Sequence, residues 1–174
     1  SSPAYKLDVN GRIRGNDVGL GSTSNYYYFD NYSGGNFMGM SGGTSLKTYI
    51  GGILGTVLDS SGNLGLGVTP SAWGSTYRAA SVSRTNLYSA AGYGWYGLLF
   101  NAYSDNTNFI YQSTNRAGEY RFDVTTGAHA WYTAPSGTAG TAISWLNNAP
   151  VMTLDASGNL HVPGGGGIST NEAF

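Results

Sequence analysis

The sequence predicts an all-β protein in which short β-hairpin connectors flank a β-sandwich-like module, built as an intertwined parallel homotrimer. Three observations point there. A seven-residue turn motif occurs three times, at Leu7–Ile13, Leu58–Leu64 and Leu154–Leu160. Apolar residues recur at period two, whereas Gly, Pro or β-branched residues interrupt nearly every window long enough for an amphipathic helix. Finally, charged residues make up 10 % of the chain and 28 of its 174 residues are glycine. Ordinary soluble domains carry about 25 % charged residues and about 7 % glycine.

The motif reads Leu-Asp-x-Asn/Ser-Gly-Asn/Arg-Ile/Leu. Asp8, Asp59 and Asp155 can each accept hydrogen bonds from the backbone that follows. Gly11, Gly62 and Gly158 can take the positive φ that ends a type I turn in a bulge. The apolar residues on either side then face one side of a two-stranded ribbon. Unequal spacing between the copies argues against a solenoid and for recurring connectors between other modules.

Four segments follow from these marks. Residues 1–20 read as an N-terminal β-ribbon or shaft connector, and residues 21–76 as a Gly/Tyr-rich β segment that includes the central repeat. Residues 77–147 are the aromatic-rich β module, and residues 148–174 hold the last repeat and the linker Pro163-Gly164-Gly165-Gly166-Gly167. Within the module, Tyr120, Phe122 and Val124 share one strand face and Glu119, Arg121 and Asp123 the other. Leu64, Leu66 and Val68 alternate with Gly65 and Gly67, which predicts that the leucine face packs and the glycine face is bare. The strongest helical candidate is Ala79–Leu87.

So few charges beside so many aromatics suit a protein whose surface is largely buried between subunits better than a dispersed monomer. Apolar strand faces completed by other copies imply an obligate oligomer with Leu58, Leu64, Leu154 and Leu160 near its axis. The net charge of −1 with scattered Lys and Arg gives no reason to expect nucleic acid, and no apolar run is long enough for membrane insertion as a helix. There is no Cys, which removes disulfides and thiolate chemistry. Ser1-Ser2-Pro3-Ala4 has neither the basic nor the apolar part of a secretion signal, and the missing initiator Met reads as a fragment of a longer chain.

Two stretches, Val57–Tyr77 (VLDSSGNLGLGVTPSAWGSTY) and Ala134–Val162 (APSGTAGTAISWLNNAPVMTLDASGNLHV), resemble the distal regions of tailed-phage tail fibres and tailspikes. In that family such segments often precede a C-terminal intramolecular chaperone domain. The resemblance implies a homotrimeric virion component, assembled in the host cytoplasm. Its expected partners are other tail-fibre or baseplate proteins and a bacterial surface polysaccharide or outer-membrane protein. It also implies that the native chain continues past Phe174.

Catalytic motifs are scarce. Gly92-Tyr93-Gly94-Trp95-Tyr96-Gly97 satisfies G-x-G-x-x-G, but no helix is expected at its last Gly, so a Gly-rich strand or loop is the better reading. His129 and His161 are the only histidines and neither has a second ligand at metal-site spacing, so no metal and no cofactor are expected. Glycosidases need two carboxylates about 5 to 10 Å apart. Glu119 and Asp123 on one strand face would stand about 13 Å apart. The expectation is a non-enzyme.

Aromatics carry the positive hint. Tyr93, Trp95, Tyr96 and Tyr103 fall close together, with Trp131 and Tyr132 later, and Asn101, Asn106 and Asn108 nearby could read sugar hydroxyls. The same rings would serve equally well as a β-domain core and subunit interface. Trp73 and Trp145, beside the repeats, read as structural. Three functions follow: a host-attachment segment of a fibre, a purely structural shaft or capsid-decorating fibre, or a fragment of a polysaccharide-degrading spike.

Overall fold

A computed structural model describes residues 26–28, 37–41 and 45–163; the first repeat with Asp8 and Gly11, the expected N-terminal ribbon and the glycine run 164–167 lie outside them. Apart from one short turn, the regular elements among the described residues are all strands: β1 (Tyr26–Tyr28), β2 (Phe37–Ser41), β3 (Ser45–Ile50), β4 (Ile53–Asp59), β5 (Leu64–Leu66), β6 (Tyr77–Val82) and β7 (Thr85–Ala90). They continue as β8 (Trp95–Phe100), β9 (Ala102–Ser104), β10 (Phe109–Tyr111), β11 (Asn115–Asp123), β12 (Ala128–Gly137), β13 (Met152–Leu154) and β14 (Leu160–His161). A short 3-10 turn at Leu146–Asn148 is the single helical element among them.

Twelve strands form one sheet in the order β1-β2-β3-β4-β5-β6-β7-β8-β11-β12-β13-β14, and β9 and β10 form a second, two-stranded sheet. Neighbours in the large sheet are antiparallel except β5 and β6, which run parallel with Leu64 beside Ala80. Hydrogen bonding therefore crosses the marks at 76/77 and 147/148, through β5–β6 and β12–β13.

The strongest helical candidate in the sequence, Ala79–Leu87, folds as strand, in keeping with the all-β reading. Ala79 to Val82 lie in β6 and Thr85 to Leu87 in β7, with Ser83 at positive φ in the turn between them. Alternation decided it: Ala79, Ser81, Asn86 and Tyr88 are buried while Val82 and Leu87 are exposed. A helix would scatter these positions around its circumference.

Both described repeats fold as the motif predicts. In the first, Asp59 Oδ1 accepts the N–H groups of Ser61 (2.9 Å) and Asn63 (2.8 Å), and Oδ2 accepts from Asn63 Nδ2 (3.0 Å). In the second, Asp155 Oδ1 accepts from Ser157 (2.9 Å) and Asn159 (2.8 Å), and Oδ2 from Asn159 Nδ2 (2.9 Å). Gly62 and Gly158 sit at φ +81° and +84°. The sequence Gly92–Gly97 is a hairpin turn entering β8, with Tyr93 N–H donating to Ala90 O.

The core lies on one face of the large sheet. Tyr77, Ala79, Tyr88, Ala90, Leu99, Ala117 and Ala134 pack under Trp73, Ala102 and Tyr111, with Phe109, Ile143 and Trp145 at the margin. The cover consists of the 71–76 segment, β9–β10, and a following stretch that joins β10 through Ile143 N–H to Phe109 O (2.7 Å). At β5 the leucines and glycines separate onto opposite faces, as their alternation predicts. Gly65 faces the covered side, where a Cβ would collide with the Val68 carbonyl as the chain folds back, and Leu64 and Leu66 face the open side.

Candidate functional site

The two faces of the sheet differ in a way that inverts the usual polarity. The covered face holds the charge. Arg121 Nε and Nη2 donate to the two carboxylate oxygens of buried Glu119 at 2.7 and 2.8 Å, and Tyr88 Oη donates to Glu119 Oε1. Burial and then the adjacent Glu119 charge push the Tyr88 hydroxyl far above its ordinary value, so it stays a donor. Burial works against the Arg121 charge, but the hydrogen bonds and charge of Glu119 outweigh it and raise its pKa further. The guanidinium lies 3.9 Å from the Trp95 ring centroid and 4.7 Å from that of Tyr132, held between aromatic faces.

The open face is apolar. One cross-strand row runs Leu46, Leu58, Leu64, Ala80, Leu87, Leu98, Tyr120, Trp131 and Met152, from β3 to β13 without a break. A second runs Leu66, Val82, Thr85 and Phe100, and a third Arg78, Ser89, Tyr96, Phe122, His129, Leu154 and Leu160. Arg78 is the single fixed charge in these rows. Leu87 is 60 % exposed. A hollow of about 420 Å³ opens among Leu64, Arg78, Ala80, Leu87, Ser89 and Tyr96. Leu58, Leu64, Leu154 and Leu160 all fall on this face.

A second feature lies at the rim of the covered side. Tyr77, Tyr93, Trp95, Ser104, Asn106, Thr107, Asn108 and Phe109 line a cleft of about 210 Å³. Asp105 builds its polar wall by accepting the N–H groups of Thr107 (2.8 Å) and Asn108 (2.7 Å), which hold its carboxyl below the usual range, the Asn108 bond contributing most. Tyr93 is 42 % exposed and stacks on Trp95, ring centroids 4.8 Å apart.

The aromatics singled out by sequence thus separate. Tyr93 and Trp95 meet in the cleft, with Tyr103 beneath it against Trp73 (6.2 Å) and Tyr132 on the same side under Arg121. Tyr96 and Trp131 project to the opposite, open face, where Trp131 packs on Tyr120 at 5.3 Å. Asn101 is structural. Its Nδ2 donates to Ser113 O and Arg116 O, and its Oδ1 accepts from Ser113 N–H and Oγ, which locks its left-handed backbone. Asn106 is engaged with Thr76 and Ser75, whereas the Asn108 side chain is exposed and has no partner among the described residues.

Sequence reasoning missed Phe109, Thr107 and the Arg121 clamp. Period-two alternation placed Arg121 opposite Tyr120, but nothing local reveals that Trp95 and Tyr132 close over it. Glu119 is held in the ion pair, and Asp123 accepts the N–H groups of Thr125 and Thr126 in the β11–β12 turn. His129 Nδ1 pairs with Tyr120 Oη at 2.7 Å, and His161 Nε2 lies 3.6 Å from Asp155. Among the described residues no three His, Cys, Asp or Glu side chains cluster as metal ligands, and no helix is long and apolar enough to cross a membrane. Comparison with protein-family models, with curated proteins and with solved structures finds no match to this chain.

Proposed function

We propose that the chain is a non-enzymatic structural and host-attachment segment of a phage tail fibre, working as a homotrimer in the virion and contacting a bacterial surface glycan or outer-membrane protein. The inverted polarity of the sheet carries this reading. Its charges are buried on the covered side, and its open side presents three rows of mostly apolar residues with Arg78 the one fixed charge. An apolar surface of that extent belongs against other subunits. The turn phrases resembling distal fibre segments agree with it, as does the low overall charge.

Attachment is assigned to the cleft at the rim. Trp95 has Tyr93 near one ring and the Arg121 guanidinium over it as well, so Tyr93, not Trp95, offers the stacking surface. Asn108 supplies the free carboxamide. Native mass measurement is expected to show a trimer. Tyr93→Ala should keep that mass and reduce adsorption to host cells, while a monomeric mass would overturn the assembly.

A second reading has its own support. With Asn101 and Asn106 bonded internally and Trp95 packed, the aromatic cluster also serves a purely structural shaft or decorating fibre. Unchanged adsorption by Tyr93→Ala, with no binding on a glycan array, would favour that reading. Release of reducing ends from capsule would favour the polysaccharide-degrading spike.

A further inference from the structure

The hydrogen bonds that close the two described repeats match one for one; His161 beside Asp155 has Gly65 as its counterpart in the first repeat, and the two Asn side chains differ at one atom. In the first, Asn63 is 1 % exposed and its Oδ1 also accepts the N–H of Ala79 at 3.0 Å, tying the turn to β6. The strand that follows, β5, then pairs with β6 in parallel. In the second repeat Asn159 is exposed and its Oδ1 meets no donor among the described residues. The strand that follows, β14, is the last in the sheet and has one edge unpaired among the described residues. The acceptor stands in the same relation to its strand, but no described strand lies beside it in parallel.

We propose that this edge receives a parallel strand from a second copy of the chain, and that the strand is β1. The inference rests on the self-association reading above and adds to it the edges that meet. The Asn63 arrangement serves a parallel pair, so its twin calls for a parallel partner. Neighbours in the sheet alternate in direction except at β5–β6, and along the order β1 to β14 this leaves β1 and β14 running the same way. Copies related by rotation about an axis along the strands would therefore bring β14 of one beside β1 of the next in parallel. Such head-to-tail contacts close into a ring.

Edge chemistry points the same way. Among the described residues β1 and β14 are the two ends of the large sheet, and joining them pairs the outer backbone groups of both. The join also continues the open apolar face, because the row through Tyr96, Phe122 and Leu154 ends on Leu160 in β14. One surface would then run from copy to copy without interruption.

The chain contains no Cys, so introduced pairs report without background. His161→Cys is combined in turn with Tyr26→Cys, Tyr27→Cys and Tyr28→Cys, and each double variant is oxidised after the native mass of the unaltered chain is known. The expected result is an oligomer, with at least one pair giving covalent dimers and trimers on a non-reducing gel that the single variants do not give. A monomeric native mass would overturn the self-association reading and this proposal together. An oligomer in which no pair cross-links would overturn the edge assignment alone, as would a disulfide formed within one chain.

Discussion

Arg121 and Trp95 lie face to face, guanidinium to ring centroid at 3.9 Å, and their contact connects the buried charge of the sheet to the wall of the cleft. Glu119 fixes the guanidinium from below, so the orientation of Trp95, and of Tyr93 stacked on it, depends on a buried ion pair.

Removing one member of that pair leaves the other charged and buried. Arg121→Met should cost about 3 to 5 kcal/mol, whereas Arg121→Met with Glu119→Gln should recover much of it. Urea unfolding of the two variants checks this. Equal losses in both would show that the Glu119 charge is not the source of the cost.

Gly62 and Gly158 occupy left-handed backbone, where a Cβ is disfavoured. Replacing either with Ala should lower stability by about 1 kcal/mol. Gly62→Ala should cost more, since its Cβ would also press on the Arg78 side chain at 3.3 Å. Thermal melts of the two variants, run side by side, give the ranking.

Leu87 is exposed in the middle of the open face. Leu87→Lys should therefore leave strand content unchanged while placing a charge in the proposed interface, shifting the native mass toward monomer. Circular dichroism and sedimentation read the two effects separately. A charged variant that still assembles would remove this face from the interface.

Three turn carboxylates are held below their ordinary range, Asp105 by the N–H groups of Asn108 and Thr107, Asp123 chiefly by Thr125, and Asp155 chiefly by the Asn159 carboxamide. A carboxyl whose pKa falls on folding stabilises the fold above its unfolded value and loses that contribution as pH drops through the folded one. Melting temperature should be level near neutrality and decline below about pH 4. Asp→Asn changes at the three sites should flatten the decline.

The repeat turns were legible because the bonds that close each one fall within the seven-residue motif, whereas the Asn63 bond to Ala79 N–H reaches outside it. Period two likewise separated Tyr120 and Phe122 from Glu119 and Arg121. It did not say which face is covered. That is decided by β9–β10 and the stretch around Ile143, remote in sequence, which close over the Glu119 side and leave the leucines of β5 open. The helical candidate at 79–87 folds as strand for a related reason. Its residues lack Gly and Pro, but Ala79 and Tyr88 are buried against partners far along the chain, and pairing outweighs local propensity. In the cleft, Tyr93 and Trp95 could be grouped by spacing, whereas Asn108 arrives by way of the Asp105 turn and Asn101 proves to be a backbone lock.

The parallel join between β5 and β6 divides the sheet into two ladders of unequal cohesion. The principal core cluster begins at Trp73, and on the β3–β5 side Val57 is the one buried apolar side chain. That side should therefore open in local fluctuations that leave β6 to β12 closed, and its amides should exchange with solvent as a separate, faster population. The Asn63 carboxamide, fastened to Ala79, lies on the boundary, and its loss should make the two populations differ further.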